Sequence, residues 1–537
     1  MPCFRQIRDM VPPHSTLSPD GERKKKKLLL LLQYAGCVLA AVFLFSFVSE
    51  SFAQNAASKK PYITAEGRLS YAMFMADEGE YKAARQEFQR LIEEFPASVL
   101  IEKAQFGLAG AYMKDARYKE AQETYRMFLS NFPDSALAPD ARAGETEAKN
   151  AGQMARLPVI EAPVYNPLPE MRDELRAVQI LVLDATNDAD IDREFERLKN
   201  AGVNAVIFRV FHNKGDRFHA SASPRQKRGV YFYTKHAPVV DDMLPKVLAL
   251  AHARGLKVYA WMTTRYADYG VEDDPGLACR SYDLVGKTFS RCAGLDLFNE
   301  AAVKRLEAIY SDLADADIDG ILFQDDLVLR HNEGFGTQMT TLFRKDTGRV
   351  AAPEALYMPA SNASPVRYTP LFWEWAAWKN KRLLEVASRL RAVVHKKRPD
   401  ALFAINLMYE SITNPPMALA WLSQDFSETV KTDFDYYSIM AYHKQMEDEL
   451  GAAPQTVRDM IRIMASTASR TVKDPNRVLI KLQTIDWKTS KPLPQGDIIS
   501  LIRDVRKVSG CSIALVPYRR DFPFDALGAL PLAIKKH

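Results

Sequence analysis

The sequence predicts an α/β protein, in which a closed barrel of eight parallel strands alternating with helices follows an all-helical repeat region. Three observations support this prediction. Between residues 173 and 537, short apolar runs alternate with stretches of three-to-four-residue periodicity. Upstream of them, one motif recurs at a spacing of 37 residues. No Gly-rich phosphate loop follows the first strand, which disfavours the nucleotide-binding form of the competing doubly wound sheet.

The N-terminus is typical of an exported protein. Basic residues at 23–27 precede an almost unbroken apolar run at 28–48, and small residues around Ser51 and Ala53 offer a signal cleavage site. The apolar run is also long enough to span a bilayer. We therefore expect residues 1–54 to be a cleaved signal peptide or an inner-membrane anchor. Either one places the rest of the chain in the periplasm.

Residues 62–150 contain two related helical pairs. The segment 79–84 (GEYKAA) recurs at 116–121 (ARYKEA), and each unit closes on a Phe-Pro pair. This pattern predicts tetratricopeptide-like repeats of the periplasmic type, whose stacked helices form a protein-docking surface. We expect this surface to bind envelope export proteins. Four prolines downstream predict an extended linker over residues 151–172.

The barrel is predicted over residues 173–537. Its strands are expected at 178–183, 205–211, 257–262, 320–323, 402–407, 436–440, 478–482 and 512–516. Gly202, Gly255 and Gly510 lie where a helix must end before the next strand begins. Eight strands with intervening helices fit a (β/α)8 TIM barrel, in which the chemistry lies just past the C-terminal ends of the strands.

The charge and the cysteine content restrict the classes of function that the chain can have. The formal charge is +5, but four of these charges lie in residues 1–27, so the rest of the chain is nearly neutral. We therefore expect no nucleic-acid-binding surface. Cys279 and Cys292 either form a disulfide in an oxidising compartment or remain separate buried thiols. The Cys and His residues show no metal-ligand spacing, so neither a metal nor a cofactor is expected.

The segment 319–326 (DGILFQDD) gives the strongest indication of chemistry. The apolar residues Ile321, Leu322 and Phe323 predict a buried strand that ends in two acids, Asp325 and Asp326. Carboxylates near a core are costly unless they have a role. Both are candidate catalytic groups, and capping of the following helix is the structural alternative.

Acids and aromatic residues also follow the other predicted strands. The candidate substrate-binding residues are Asp184, His212, Trp261, Tyr409, Tyr442, Asp486, Trp487, Tyr518 and Asp521, with Glu410 and His443 beside them. Aromatic rings stack on sugar rings, while acids bind hydroxyl or amino groups and transfer protons. This rim suits a sugar polymer, although each histidine could be a hydrogen-bonded structural group.

Over residues 179–522 the chain resembles the C-terminal hydrolase domain of the PgaB family. The matching segments are 229–232 (GVYF), 252–262 (HARGLKVYAWM), 319–326 (DGILFQDD), 440–442 (MAY), 482–483 with 486–487, and 517–518 with 521–522. Members of this family are periplasmic and process poly-β-1,6-N-acetylglucosamine during exopolysaccharide export. The resemblance implies a (β/α)8 barrel that binds, and in some members cleaves, the partially deacetylated polymer.

The resemblance also implies site residues. The family's acids after the fourth strand correspond to Asp325 and Asp326. The acid-rich loop that follows keeps Glu333 but has His331 and Gly334 where acids are usual. The family's zinc deacetylase module is replaced by the helical repeats, so no deacetylation is expected.

These observations predict an exported endo-glycosidase that acts on a β-linked amino-sugar exopolysaccharide. One acid after the fourth strand would act as nucleophile or stabilise the oxocarbenium-like transition state, and Glu333 or the other aspartate would protonate the leaving oxygen. The acids Asp184, Asp486 and Asp521 would favour cationic glucosamine. A catalytically silent polysaccharide-binding scaffold is the alternative, and a hydrolase for another envelope glycan, such as peptidoglycan, is the third interpretation.

Overall fold

The structure is a computed structural model that describes residues 64–154, 172–358, 366–522, 524 and 527. The signal or anchor predicted at 1–54, including the apolar run 28–48, lies outside these ranges, as do residues 155–171 of the predicted linker. Among the helices of the described part, none is both long and apolar enough to cross a bilayer.

Five helices form the repeat region. They are α1 (Ala65–Asp77), α2 (Tyr81–Glu94), α3 (Ile101–Lys114), α4 (Tyr118–Asn131) and α5 (Ala138–Met154). The turn before α2 contains Gly79 at φ 82°, and the equivalent turn before α4 contains Ala116 at φ 55°. Helices α2 and α4 bury Phe88 and Tyr125 at equivalent positions, and likewise Leu91 and Phe128. The predicted tetratricopeptide-like repeats are confirmed, with α5 continuing four residues into the segment predicted as linker.

Eight parallel strands close into a barrel. They are β1 (Arg176–Ile180), β2 (Ala205–Arg209), β3 (Lys257–Met262), β4 (Gly320–Phe323), β5 (Leu402–Met408), β6 (Tyr436–Met440), β7 (Val478–Gln483) and β8 (Ser512–Val516), and each pairs with its sequence neighbours. Val178 lies opposite both Leu515 of β8 and Val206 of β2, so the sheet has no edge. The predicted barrel is confirmed and the doubly wound alternative is wrong.

The main difference from prediction is at β1, which ends at Ile180 instead of Leu183. The chain leaves the sheet there because the Leu183 amide donates to Nδ1 of His219, 3.0 Å away, and not to a neighbouring strand.

Helices and short strand pairs surround the barrel. The helices are α6 (Asp188–Asn200), α7 (Leu244–Ala253), α8 (Asp268–Val271), α9 (Glu300–Leu313), α10 (Thr337–Thr347), α11 (Pro353–Leu356), α12 (Pro370–His395), α13 (Glu410–Thr413), α14 (Pro415–Leu422), α15 (Phe426–Lys431), α16 (His443–Leu450), α17 (Pro454–Val472) and α18 (Gln495–Ser509). Antiparallel pairs join 211–212 to 229–230, 278–283 to 288–295, and 357–358 to 367–368.

The barrel interior changes from apolar to polar along the strands. An apolar layer consists of Leu175, Ala177, Ala205, Ile207, Tyr259, Leu322, Ala404, Tyr436, Leu479 and Ala514. Because alternate residues of a strand share a face, the next inward positions are two residues further on. Those of β1, β5, β6 and β7 are the buried residues Gln179, Asn406, Ser438 and Lys481. The buried polar groups therefore lie towards the C-terminal mouth of the barrel.

The repeat helix α1 packs directly on barrel helix α12. The Tyr71 ring lies 5.1 Å from the ring of Trp373, and both side chains are almost completely buried. An ion pair of 3.4 Å joins Lys381 to Glu78 at the edge of this contact. The apolar core is therefore continuous between the repeats and the barrel.

We expect Tyr71→Ala to lower the free energy of unfolding by about 3 kcal/mol, because it removes a buried aromatic side chain and leaves a cavity. Chemical denaturation of the full chain measures this change. Met73→Ala is the matched control on the same helix, since Met73 is 53% exposed; its effect should be about 0.5 kcal/mol or less. Equal stability of both variants would contradict the docking role of Tyr71.

Candidate active site

Asp326 lies fully buried just past the end of β4. Its carboxylate accepts hydrogen bonds from the Thr263 hydroxyl (2.6 Å), the Thr264 amide and hydroxyl (2.8 and 2.6 Å), and the Arg265 and Tyr266 amides (2.7 and 2.8 Å). Four of these donors bind Oδ2 and one binds Oδ1, so both carboxylate oxygens are engaged. This geometry makes Asp326 an anchor for the loop after β3 and argues against the predicted catalytic role.

Asp325, the neighbouring residue, is only half-buried. Burial raises the pKa of its carboxyl group, the nearby Lys481 ammonium lowers it, and the Asp326 charge raises it further, so the net pKa lies above its usual value. The negative charge of Asp325 also helps to raise the pKa of Tyr442, although burial is the larger cause. Asp325 therefore interacts with groups from β7 and from the loop after β6.

Lys481 belongs to a polar group inside the barrel. Its ammonium donates to Oδ1 of Asn406 at 3.2 Å, and the Ser438 hydroxyl donates to the same oxygen at 2.8 Å. Burial lowers the pKa of Lys481 to about 8, although the charge of Asp325 opposes this shift. A charged residue within the otherwise apolar strand 478–482 was the sequence signal for this group, and it was missed.

Several buried polar atoms around this group have no hydrogen-bond partner within the described residues. They are Gln179 Oε1, Trp261 Nε1, Gln324 Oε1, Asn406 Nδ2 and Trp487 Nε1. Buried polar atoms are almost always hydrogen-bonded in folded proteins. Their positions at the ends of β1, β3, β4, β5 and β7 fit a mouth that receives a ligand rich in hydroxyl or amino groups.

Aromatic side chains line the same mouth. Tyr442 and Trp487, which follow β6 and β7, pack edge to face with ring centroids 5.5 Å apart. Trp261 at the end of β3 packs edge-on against Phe211 at 5.1 Å and against the interior layer of the barrel. The structure thus brings three of the predicted substrate-binding residues into the region that contains Asp325.

Glu333 lies elsewhere, in a buried ion pair. One of its carboxylate oxygens is 2.9 Å from Nη2 of Arg265, and the Arg330 amide donates to the carboxylate at 3.2 Å. Burial alone would raise the pKa of Glu333, but Arg265 and this amide outweigh burial, and the net pKa is lowered. An ionised, enclosed carboxylate is a poor proton donor, so this geometry argues against the predicted role of Glu333 as catalytic acid.

A hairpin covers this ion pair. Its strands, 278–283 and 288–295, are joined by a disulfide between Cys279 and Cys292, one of the two arrangements that the sequence left open. Sulfur atoms of both cysteines lie close to the carboxylate of Glu333. The three do not form a metal centre, because the sulfurs are bonded to each other and Arg265 pairs with the carboxylate.

The three acids predicted to select a cationic sugar have other partners. Asp184 pairs with Arg217 at 3.1 Å, and Asp521 pairs with Arg519. Asp486 accepts hydrogen bonds from the amides of residues 488 and 489 and so stabilises a turn. The mouth also contains the cation of Lys481, so its charge is mixed and not strongly negative.

Three further predicted residues are held by the scaffold. His212 is buried, shares a 2.8 Å hydrogen bond with the Tyr231 hydroxyl and stacks on Phe218. Burial lowers the pKa of His212 to about 4. Tyr518 donates to Glu194 of α6. Tyr409 donates to Glu449 of α16 at 2.9 Å. His212 is therefore a hydrogen-bonded structural group, which was the alternative to a substrate-binding role. Tyr518 is directed towards the outer helices.

The opposite, N-terminal end of the barrel contains an open cavity of about 400 Å³. It is lined by His252, Lys257, Asp317, Ile318, Asp319, Arg398, Asp400 and Leu402. Ion pairs and hydrogen bonds occupy most of these charges, such as His252 with Asp319 at 2.8 Å. Polar networks at this end of such barrels serve stability, so the chemistry is assigned to the other mouth.

Comparison with known proteins adds the family. Residues 183–514 match the family described as hypothetical glycosyl hydrolase family 13, and residues 69–140 match a family described as outer membrane lipoprotein. The PgaB (BpsB) glycoside hydrolase domain from Bordetella bronchiseptica is 22% identical and covers 67% of this chain and 96% of its own, with a TM-score of 0.52. The catalytic domain of β-amylase from Paenibacillus polymyxa is 13% identical and covers 65% of this chain and 93% of its own, with a TM-score of 0.43. No curated protein sequence matches the chain.

The resemblance to the PgaB hydrolase domain is thereby confirmed, and at this identity it shows a shared fold. The family match over residues 183–514 includes the segment from β2 to β7 and more than half of the chain. The chain therefore belongs to the hypothetical glycosyl hydrolase family 13.

Proposed function

We propose that this protein is an exported glycoside hydrolase that cleaves partially deacetylated poly-β-1,6-N-acetylglucosamine or a closely related amino-sugar exopolysaccharide. One observation carries the proposal. Asp325 is a half-buried carboxyl group at the C-terminal mouth of the barrel, among aromatic side chains, whereas the adjacent Asp326 is fully occupied as an anchor. Asp325 would act as nucleophile or stabilise positive charge at the anomeric carbon.

The surroundings of Asp325 support a sugar polymer as substrate. Trp261, Tyr442 and Trp487 offer apolar ring faces, and Gln179 and Asn406 offer unpaired polar atoms. The similar domain from Bordetella bronchiseptica is named as a glycoside hydrolase. Preference for the deacetylated sugar rests on Asp325 and its neighbours, since Asp184 and Asp521 are already ion-paired.

The repeats and the N-terminus support a location outside the cytoplasm. The match of residues 69–140 to an outer membrane lipoprotein family and the apolar run at 28–48 are both consistent with export. We propose that the repeats at 62–150 bind envelope export proteins, that 151–172 links them to the barrel at 173–537, and that 1–54 directs export.

A catalytically silent, polysaccharide-binding scaffold is the second candidate function. The contacts of the loop after β4 favour it, because they leave no second acid among the described residues of that loop free to act as a catalyst. Glu333 is ion-paired with Arg265, and His331 is buried against Trp421 and Tyr368. In this case the mouth would bind glucosamine oligomers tightly without releasing new reducing ends.

Asp325→Asn should reduce the release of reducing ends from partially deacetylated poly-β-1,6-N-acetylglucosamine by about 1,000-fold, because it removes the charge that acts on the anomeric carbon. The thermal unfolding of this variant should stay close to that of the wild type, since Asp325 is half-buried and not an anchor. Undiminished hydrolysis by Asp325→Asn would reject its role, and binding without any turnover by the wild type would select the scaffold.

Asp326→Asn should act on stability. It replaces one acceptor oxygen with an amide that faces donors, so buried N–H and O–H groups of residues 263–266 lose their partner. We expect a decrease of about 3 kcal/mol in the free energy of unfolding. Urea denaturation of Asp326→Asn beside Asp325→Asn measures the difference, and equal stability of the two would contradict the anchor assignment.

A further inference from the structure

We propose that Glu410 is the proton donor of this active site and that Glu449 is the carboxylate paired with it. The inference rests on the proposed hydrolase function and supplies the second catalytic group. The contacts of Asp326 and Glu333 argue against either of them in that role. Glu410 was predicted to lie at the rim of the barrel, but no role was predicted for it.

The position of Glu410 follows from the barrel register. β4 and β5 are adjacent and parallel, with Phe323 opposite Ile405, and neighbouring strands lie about 4.8 Å apart. Asp325 follows β4 by two residues and Glu410 follows β5 by two residues. Both acids therefore lie beyond the C-terminal ends of neighbouring strands, at the same mouth of the barrel.

Glu449 approaches Glu410 from the next unit of the barrel, on helix α16 after β6. The Tyr409 hydroxyl donates to one carboxylate oxygen of Glu449 at 2.9 Å, and Nε2 of Gln445 donates to the other at 2.7 Å. Both carboxylate oxygens of Glu449 therefore accept a hydrogen bond from a neighbouring side chain.

The same arrangement favours a neutral Glu410. Burial and then the charge of Glu449 raise the pKa of Glu410 to about 8, against weaker opposing hydrogen bonds from its own backbone and Tyr409. Tyr409 stays protonated because burial and these two acids raise its pKa as well. The cation on α16, Lys444, is engaged by Glu447 and Asp448 at 3.2 and 3.1 Å. A carboxyl group that is neutral at pH 7 can act as a general acid.

In the step that we infer, the bond between the anomeric carbon and the glycosidic oxygen breaks, and its electron pair stays on the oxygen. That oxygen takes the carboxyl proton of Glu410 and leaves as a hydroxyl group. If Asp325 has first bonded to the anomeric carbon, a water molecule displaces it and returns one proton to Glu410; if water attacks directly, Asp325 takes that proton. One glycosidic bond and one water molecule are consumed, and no other reactant is needed.

Glu410→Gln tests the role through the leaving group. Hydrolysis of partially deacetylated poly-β-1,6-N-acetylglucosamine should fall about 100-fold or more, because an unprotonated sugar alkoxide leaves slowly. Hydrolysis of the dinitrophenyl glycoside of a glucosamine oligomer should change little, because that leaving group needs no proton. Equal losses on both substrates, or wild-type activity on the polymer, would overturn the proposal while leaving the hydrolase function intact.

Glu449→Gln tests the coupling through pH. The activity of the wild type should fall as pH rises through about 8, where Glu410 loses its proton. Removing the negative charge of Glu449 lowers the pKa of Glu410, so this alkaline limb should move to lower pH. Glu447→Gln, a change on the same helix, should leave the limb in place. An unmoved limb in Glu449→Gln would contradict the assignment.

A measurement without turnover separates the two proposals. The infrared difference spectrum between wild type and Glu410→Gln at pH 7 should contain the carbonyl band of one neutral carboxyl group. Absence of the band would overturn the inference, whatever the activity. If the band is present but the wild type releases no reducing ends from the polymer, the proposed function fails instead, and with it the catalytic role that rests on it.

Discussion

The carboxylate of Asp326 is the contact on which the rest of the active mouth depends. Residues 263–266, which follow β3, converge on it with five hydrogen bonds, although they lie about 60 positions away in sequence. Fixing the end of β4 to this loop leaves the preceding residue, Asp325, at the mouth. The same loop inserts the guanidinium of Arg265 below the hairpin, where it pairs with Glu333. A costly buried carboxylate is stable here because both of its oxygens accept hydrogen bonds.

The anchor also separates the acids that hold the loops in place from the acids that remain available for chemistry. Arg265 also donates to the carbonyl of Val328 and to Sγ of Cys279, so one buried cation connects the loops after β3 and β4 with the disulfide-bonded hairpin. From the other side, the buried ammonium of Lys379 donates to the carbonyls of Arg330 and Glu333. These contacts hold the loop after β4 in place and occupy its ionisable side chains other than Asp325. The ionisable groups left for chemistry therefore follow or belong to β4, β5 and β7.

The fold could be predicted from the sequence because its signals are local. Apolar β-prone runs such as 320–323 and 436–440, and glycines at the ends of helices, do not depend on distant partners. The position of Asp325 at the rim follows from strand boundaries alone. By contrast, Asp326 and Glu333 are chemically as plausible as Asp325 in the sequence, and only their partners Thr264 and Arg265 separate them. Glu410 was named on the rim, but its role depends on Glu449, which a different helix brings to it.

The most direct test of the central claim is a crystal structure of the Asp325→Asn variant with a β-1,6-linked glucosamine oligomer. We expect the oligomer to lie across the C-terminal mouth, with a glycosidic bond beside residue 325 and sugar rings against Tyr442 and Trp487. An oligomer bound only at the opposite end of the barrel, near His252 and Asp319, or bound with no sugar within reach of residue 325, would contradict it.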